Sequence, residues 1–351
     1  MKFLRRESKV VFVGNVPIGN PHPVIIQSMT NTRTYDGEKT LKQIKELANE
    51  GCELIRVGIT SEKDLESIPF LVNNSPIPII GDIQYDYRHG IKAVESGIHG
   101  IRINPGYVAD KEKLNAIATA CKAKGVSIRV GVNSGSINPH WEKVYGGVNE
   151  KSLAHSALDQ VKSLEECDFN NIKVAIKASD PMTMIKANRL FSELTEYPLH
   201  LGVTESGTST MGIVKSSIGI GALLADGIGD TIRVSLTEDP IEEIRAAKRI
   251  LQALGLRKFG INIISCPTCS RTNIDLIELV KKAEKMLENI DKDITVAIMG
   301  CPVNGPGEAK EADIGISGGI SEGTIFKRGK IIKRVPENEL LSTLMEEINY
   351  L

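Results

Sequence analysis

The chain alternates short apolar or β-branched runs with stretches of helical periodicity. Helical spacing of apolar residues is clear in Glu38–Glu50, Lys111–Lys124 and Ile241–Leu254. Such alternation predicts a parallel sheet whose strands are joined by crossover helices. Eight strand–helix units favour an α/β fold of the TIM (β/α)8 barrel type. A doubly wound open sheet is disfavoured, because no Gly-x-Gly-x-x-Gly motif follows the first run. The predicted strands are Val24–Gln27, Leu54–Val57, Ile79–Asp82, Gly100–Ile103, Ile128–Val132, Ile172–Ile176, Leu199–Val203 and Thr231–Val234.

The segments on either side of the predicted barrel have a different pattern. Residues 10–20, VVFVGNVPIGN, predict a β-hairpin able to plug the lower mouth of the barrel. Residues 255–269 are typical of a linker and the start of a second domain. We predict a barrel domain with its hairpin over residues 1–256 and a small α/β domain over residues 261–351. The small domain is expected to contain a helix, a strand, a glycine-rich loop region and a last helix, over Ile274–Leu287, Ile294–Ile298 and, for the last helix, near Glu337–Asn349.

Composition excludes several classes of function. Lys and Arg number 43 against 44 Asp and Glu, so the basic excess of a nucleic-acid binder is missing. Aromatic residues make up only 4%, which argues against a base-stacking surface. No uncharged apolar run approaches the ~18 residues of a membrane span, and the first residues carry charges where a signal peptide needs an apolar stretch. We therefore expect a cytoplasmic protein that binds neither nucleic acid nor membranes.

Positive charge is concentrated where the predicted strands end. In a barrel, functional side chains cluster at the carboxyl ends of the strands. Acidic residues at the equivalent positions are few, namely Asp82 and Glu205. A cationic surplus there predicts a polyanionic substrate, since arginine forks suit phosphate oxygens. The alternative is that individual cations pair with carboxylates inside the barrel. The cations are Arg56, Arg102, Arg129, Lys177 and Arg233, and the polar residues Asn104, Asn133 and Ser235 lie beside them in the sequence.

The C-terminal domain carries three cysteines and no histidine. Cys266 and Cys269 form a Cys-x-x-Cys pair, and Cys301 follows in CPVNGPGE. A local zinc site of four cysteines, or of three cysteines and one histidine, is excluded, so a fourth ligand must be an oxygen, an exogenous group or a cysteine of the barrel. Thiolates with adjacent prolines favour iron–sulfur ligation, and Glu308 lies in a Gly-Pro-Gly loop that can turn its carboxylate back. A [4Fe–4S] cluster with one labile ligand fits, while structural zinc and a redox dithiol remain as alternatives.

These motifs resemble those of a known protein family. The chain resembles the bacterial two-domain 4-hydroxy-3-methylbut-2-enyl diphosphate synthases of the methylerythritol phosphate route to isoprenoids. The resemblance runs from the first strand almost to the end of the chain, and its most specific motifs are SCPTCSRT and MGCPVNGPGEAKEADIGISGG. It implies a TIM barrel followed by a [4Fe–4S] domain. It also implies two-electron reductive ring opening of a cyclic methylerythritol diphosphate with loss of water.

The resemblance also assigns roles to residues. It implies cluster ligation by Cys266, Cys269, Cys301 and Glu308. It implies diphosphate binding by the five cations named above, and catalytic carboxylates at Asp82 and Glu205, of which we favour Glu205 as the proton donor. Because a cluster passes single electrons, a ferredoxin or flavodoxin partner is expected.

The order of the domains predicts an assembly. The eighth barrel helix, ~21 Å long for ~14 residues, ends at the face opposite the strand ends that carry the cations. We therefore expect a head-to-tail homodimer in which each chain lends its cluster to the other. Two rival hypotheses remain: a non-redox barrel enzyme for a phosphorylated pterin or sugar with structural zinc, and a non-enzymatic cluster carrier.

Overall fold

The computed structural model describes residues 4–84, 86–103, 110–288, 290–303 and 309–351. Two compact units divide the chain, Met1–Arg257 and Lys258–Leu351. The first unit opens with an antiparallel hairpin, β1 (Val11–Val13) and β2 (Val16–Ile18), which confirms the predicted hairpin. Its buried side chains pack on Ile25, Leu54 and Ile80, at the amino ends of three barrel strands. The hairpin therefore covers that end of the barrel with an apolar plug.

Eight parallel strands form the barrel and confirm the predicted fold class. Their order is β8-β7-β6-β5-β4-β3-β10-β9. Leu199, one residue before β9, forms a parallel bridge with Val174 of β8 and brings the two ends of the sheet together. The last two strands are shorter than predicted. The strands are β3 (Ile25–Met29), β4 (Leu54–Ile59), β5 (Ile79–Ile83), β6 (Gly100–Ile103), β7 (Ser127–Val132), β8 (Ile172–Ile176), β9 (His200–Leu201) and β10 (Thr231–Ile232).

Helices surround the strands and begin at well-formed caps. Asp110, Asn149, Asp180 and Asp239 each accept a hydrogen bond from a backbone N–H of the first turn. Such caps satisfy amides that have no partner within the helix, and so they fix where each loop ends. The helices of this unit are α1 (Gly37–Glu50), α2 (Glu62–Asn74), α3 (Tyr87–Glu95), α4 (Lys111–Lys124), α5 (Pro139–Val144), α6 (Glu150–Glu165), α7 (Pro181–Leu194), α8 (Ser209–Ala225) and α9 (Pro240–Ala253).

In its described residues, the second unit is a five-stranded mixed sheet with two α-helices. Strands β11, β12 and β13 run parallel, and β14 and β15 continue the sheet antiparallel. One face packs on both helices through an apolar core that includes Leu276, Ile298 and Leu344. The elements are β11 (Asn262–Ser265), α10 (Leu276–Leu287), β12 (Thr295–Met299), β13 (Ile314–Ser317), β14 (Glu322–Lys327), β15 (Lys330–Pro336) and α11 (Leu340–Asn349), with a 3₁₀ turn over Glu337–Glu339.

The predicted description of this unit was wrong in one place. The segment predicted to be a glycine-rich loop region contains β13, β14 and β15. Strand β11 lies at the predicted start of the domain, where no strand was predicted. Strand β15 is an edge strand with almost every residue exposed, so it lacks the alternation of buried and exposed positions that marks a strand in sequence. No helix in the described ranges is long and apolar enough to cross a bilayer.

Candidate functional site

All five cations at the strand ends line one cavity of about 180 Å³ in the barrel unit. The alternation of side chains along each strand points them inward. Asp82, Arg102 and Arg129 form one row across β5, β6 and β7, because each is the register partner of the next. Asn133, Thr204 and Ser235 also line the cavity. Asn104, the remaining predicted contact, lies outside the described residues.

One glycine makes room for the lysine of this cavity. A Cβ atom on Gly202 would lie 2.9 Å from Lys177 Nζ and 2.6 Å from the carbonyl oxygen of Arg233. Real Cβ atoms do not approach backbone this closely, so any larger residue would have to displace both neighbours. Gly202 therefore permits the Lys177 amine to reach the cavity.

Asp82 is the carboxylate within the row of cations. It accepts a hydrogen bond from Arg102 Nη1 at 3.0 Å and lies 3.4 Å from Arg56 Nε. Burial alone would raise the pKa of Asp82, but attraction to Arg56, Arg102 and Arg129 outweighs it and lowers the pKa below its ordinary value. Asp82 is therefore ionised at neutral pH and orients two guanidinium groups.

A second carboxylate, Glu243, was missed in the sequence. It reaches the barrel from α9, where it lies 3.5 Å from Arg233 Nε and accepts hydrogen bonds from Ser28 Oγ and the Leu236 N–H. Only 5% of Glu243 is exposed. The signal was present, because Glu243 shares the buried stripe of its helix with Ala247. A glutamate at such a position needs a buried partner.

The neutral thioether of Met29 also faces the arginines. Arg56 donates from Nε and Nη2 to Met29 Sδ at 3.2 and 2.9 Å. Arg129 and Lys177 form no ion pair with a carboxylate within the described ranges, although only 3% and 9% of them are exposed. Burial, and then the charge of Arg129, push the pKa of Lys177 well below its ordinary value. The cavity therefore holds more cationic groups than its own carboxylates balance.

Glu205 lies at the edge of this cavity in the loop after β9. Its neighbour Thr204 lines the cavity, whereas the Glu205 side chain is exposed. The Glu205 backbone has φ +54°, in the left-handed region that costs a non-glycine residue about 1 kcal/mol. Strain of this kind is concentrated at functional sites, where the surrounding structure holds the residue in place.

The three C-terminal cysteines follow neighbouring parallel strands. Cys266 comes directly after β11, and Cys301 lies two residues beyond the end of β12. Since Ser265 and Ile298 are register partners, both cysteines belong to the same edge of the sheet. Gly300 donates its backbone N–H to Cys266 Sγ at 3.2 Å. Amide donors aimed at sulfur stabilise the thiolate form, which is the form that binds metal.

Cys269 lies in the loop between β11 and α10. Hydrogen bonds from the Arg271 backbone, then from its side chain, lower the pKa of this exposed thiol. All three cysteines are free of disulfides, and their donor chemistry fits soft-metal ligation. Within the described ranges no three His, Cys, Asp or Glu side chains are gathered as a metal site. Glu308, the predicted fourth ligand, lies outside the described residues.

The barrel cysteines have a different environment. Cys52 and Cys121 are buried, and burial raises the pKa of each to about 12. Such thiols remain protonated and act as small apolar side chains.

Comparison with known proteins decides the family. Residues 8–248 match the family model described as the GcpE TIM-barrel domain, and residues 262–350 match the GcpE protein C-terminal domain. The chain belongs to the GcpE family. Curated GcpE-type relatives from Sulfurihydrogenibium sp. (strain YO3AOP1) and Clostridium perfringens are 51% and 52% identical over 344 residues, which is 98% of this chain and 98–99% of theirs. Both are named 4-hydroxy-3-methylbut-2-en-1-yl diphosphate synthase (flavodoxin).

Solved structures add support for the barrel of this GcpE-family chain. Dihydropteroate synthase from Stenotrophomonas maltophilia superposes with a TM-score of 0.53 at 16% identity, covering 71% of this chain and 98% of that one. The 3-dehydroquinate dehydratase from Geobacillus kaustophilus gives a TM-score of 0.51 at 17% identity, covering 71% of this chain and 99% of that one. At such identities the likeness concerns the fold alone.

The unbalanced cations of this GcpE-family barrel predict that an anion stabilises it. Inorganic diphosphate should raise the thermal unfolding midpoint, because a ligand bound only by the folded state contributes about 2.7 kcal/mol at a hundred times its Kd. Arg129→Met should lose most of that increase. Without diphosphate this variant should unfold at a temperature no lower than wild type, because it lacks the buried Arg129 charge that the neighbouring arginines repel. Arg249→Met, on the exposed face of α9, should keep the full increase. Scanning fluorimetry measures the unfolding midpoints. If diphosphate raises the midpoint equally in both variants, the anion site is contradicted.

Proposed function

We propose that this protein is a 4-hydroxy-3-methylbut-2-enyl diphosphate synthase. Its reaction is the reductive ring opening and dehydration of 2-C-methyl-D-erythritol 2,4-cyclodiphosphate. The observation that carries the proposal is the cavity at the carboxyl ends of the barrel strands, where four arginines and one lysine face two carboxylates. The GcpE match over both units and the names of the relatives at about half identity support it.

The cations bind and orient the cyclic diphosphate. Arginine forks donate parallel hydrogen bonds to phosphate oxygens, and Lys177 adds a single charged donor. Among the residues that the structure describes, the buried Nε atoms of Arg102 and Arg129 have no hydrogen-bond partner, so these donors are available for ligand oxygens. Asn133 and Ser235 complete the polar lining. Fixing both phosphates holds the reacting C–O bond in one position, an effect that removes several kcal/mol of barrier in oriented reactions.

The C-terminal unit fits a cluster held by cysteine. Cys266, Cys269 and Cys301 would hold a [4Fe–4S] cluster, with Glu308 as the fourth, exchangeable ligand. When bound, such a cluster supplies electrons and a Lewis-acidic iron position for a substrate oxygen. The Gly300 N–H on Cys266 Sγ and the lowered pKa of the Cys269 thiol support these ligands.

Glu205 is the proposed proton donor. The net reaction takes up two electrons and one proton. It releases water and a linear diphosphate that carries one more negative charge than the cyclic substrate. A hydroxyl leaves as water only when a proton reaches its oxygen. Asp82 is unsuited to this step because its neighbouring arginines hold its pKa low. The Glu205 carboxyl is exposed next to the cavity-lining Thr204, and we propose that it delivers the proton to the departing oxygen.

The electron donor is proposed to be a flavodoxin or a ferredoxin, either of which delivers the required electrons singly. The relatives' names specify flavodoxin. A cytoplasmic location agrees with six cysteines that form no disulfide.

We further propose a head-to-tail homodimer that shares its clusters. Arg257, the last residue of the barrel unit, bonds the Val24 carbonyl and Glu53. Both lie just before strands, so the chain leaves the barrel at the face opposite the cavity. A cluster carried beyond this point reaches a cavity most directly in a second subunit.

The function is tested by anaerobic purification followed by metal analysis and turnover. Wild type should be brown, contain about four irons per chain, and convert the cyclic diphosphate when dithionite supplies electrons. Cys301→Ala should lose the visible absorbance and the activity, because a thiolate ligand is gone. Cys121→Ala, which removes a buried thiol of the barrel, should keep both.

Two outcomes would contradict the proposal. A colourless protein that contains zinc would favour a non-redox barrel enzyme with a structural metal. An iron–sulfur protein that leaves the cyclic diphosphate unchanged would favour a cluster carrier.

Replacement of the proposed proton donor separates catalysis from binding. Glu205→Gln should lower kcat by about 10²–10⁴-fold, the usual contribution of a general acid, with little change in KM. Glu238→Gln, an exposed glutamate after β10, is the matched control and should retain wild-type kcat. A Glu205→Gln enzyme with kcat within a few-fold of wild type would exclude this role. Steady-state kinetics on iron-replete protein measures both constants.

Mixed subunits test the shared cluster. Arg129→Ala and Cys301→Ala homodimers should each be inactive, because one lacks the anion site and the other lacks the cluster. Mixing the two chains under subunit exchange should restore part of the activity, because one of the two sites in a heterodimer is then intact. If heterodimers verified by mass spectrometry show no recovery, each chain must use its own cluster.

A further inference from the structure

A second set of buried polar side chains occupies the barrel interior below the cavity. Lys173, His200 and Gln27 are at most 2% exposed. Within the described part of the chain, Lys173 Nζ, His200 Nε2 and both polar side-chain atoms of Gln27 have no hydrogen-bond partner. Barrel interiors are normally filled by branched apolar residues, and buried polar atoms without partners are costly. The mechanism above uses none of these three residues.

The strand register places Lys173 with the cations of the cavity. Lys173 on β8 is the register partner of Arg129, and so it extends the row formed by Asp82, Arg102 and Arg129. Residues 173 and 175 of β8 and residue 177 directly after it point to the same side. Ala175 and Lys177 line the cavity and Lys173 does not. The Lys173 amine therefore lies one step deeper, beneath the floor of the anion site.

Charged groups act on Lys173 from several strands. Burial, followed by the charges of Arg129 from β7 and Arg56 from β4, lowers the pKa of Lys173 to about 7, and Asp230 before β10 opposes them. Asp230 is already bonded to Arg5 at 2.7 Å. From β9, His200 is held by Thr231 through Nδ1 at 2.8 Å, and burial keeps its pKa well below the ordinary value. Lys177, directly after β8, is a further titratable amine, and burial followed by the charge of Arg129 lowers its pKa well below the ordinary value.

We propose that Lys173 takes up a proton from solvent when a diphosphate enters the cavity, and so places a charged amine beneath the anion. The inference rests on the proposed function and deepens it. Phosphate oxygens neutralise the charges of Arg129 and Arg56, which in the free protein repel a protonated lysine. Lys173 makes no bond to the substrate and acts as a positioning residue. Its charge offsets the additional negative charge that the linear diphosphate carries after ring opening.

Titration calorimetry counts the protons. The cyclic diphosphate is added to anaerobic, iron-replete enzyme without a reductant at pH 8, in buffers of different ionisation enthalpy. The slope of observed enthalpy against buffer enthalpy gives the number of protons taken up. Each phosphate of the cyclic ligand has a single strongly acidic hydroxyl, so protons taken up near neutrality belong to the protein. At pH 8 a lysine with a pKa of about 7 is about nine-tenths neutral before the ligand binds.

The variants identify the group. Wild type should take up protons on binding, with a contribution from Lys177 as well. Lys173→Arg is permanently charged and Lys173→Met never charged, so each should take up close to one proton fewer than wild type. Lys186→Met on the exposed face of α7 and His200→Gln should match wild type. A purely structural role for Lys173 would change stability without changing this proton count.

Several results would overturn the inference. One is that wild type takes up no protons on binding, and another is that the folded Lys173 variants take up as many protons as wild type does. The third such result is a loss of proton uptake in His200→Gln but not in Lys173→Arg. Should neither Lys173 variant fold, the wild-type pH dependence decides: uptake must increase from pH 6 to pH 8, and a flat profile refutes the proposal. An iron-replete wild type that gives no binding heat and no turnover contradicts the proposed function instead.

Discussion

Excess positive charge inside the barrel is the constraint on which the rest of the structure depends. Arg56, Arg129 and Lys177 are more than nine-tenths buried, yet the carboxylates facing the described part of the cavity are Asp82 and Glu243. Charges so deeply buried are tolerated only when they are paired or when a ligand completes the pairing. The arrangement is therefore adapted to a polyanion, and the free protein stores the repulsion that binding relieves. Such preorganisation spares the site from moving charges when the substrate arrives.

The remainder of the barrel holds these buried cations in place. The hairpin β1–β2 covers the opposite end with apolar side chains, so the interior opens where the strands end. Gly202 leaves space for the Lys177 amine, and Asp82 orients two arginines at once. The proposed chemistry also needs a source of electrons. The cysteines at one edge of the C-terminal sheet are the soft ligands proposed for a group that supplies them.

Much of this arrangement could be predicted from the sequence. Alternating runs and helices define eight units, and a cation at the end of a buried strand is conspicuous because solvation is lost there. Glu243 was missed because its contact with Arg233 depends on how α9 lies against the barrel, which local pattern does not encode. The depth of Lys173 likewise follows from register between β7 and β8 rather than from its own neighbours in the chain. Strands β13 to β15 were missed because their stability comes from pairing with one another.

An anaerobic crystal structure with the cyclic diphosphate bound tests the central claim most directly. The account predicts phosphate oxygens within hydrogen-bond distance of the guanidinium groups of Arg56, Arg129 and Arg233 and of the Lys177 amine. A diphosphate bound elsewhere, with these cations still facing only Asp82 and Glu243, would contradict it.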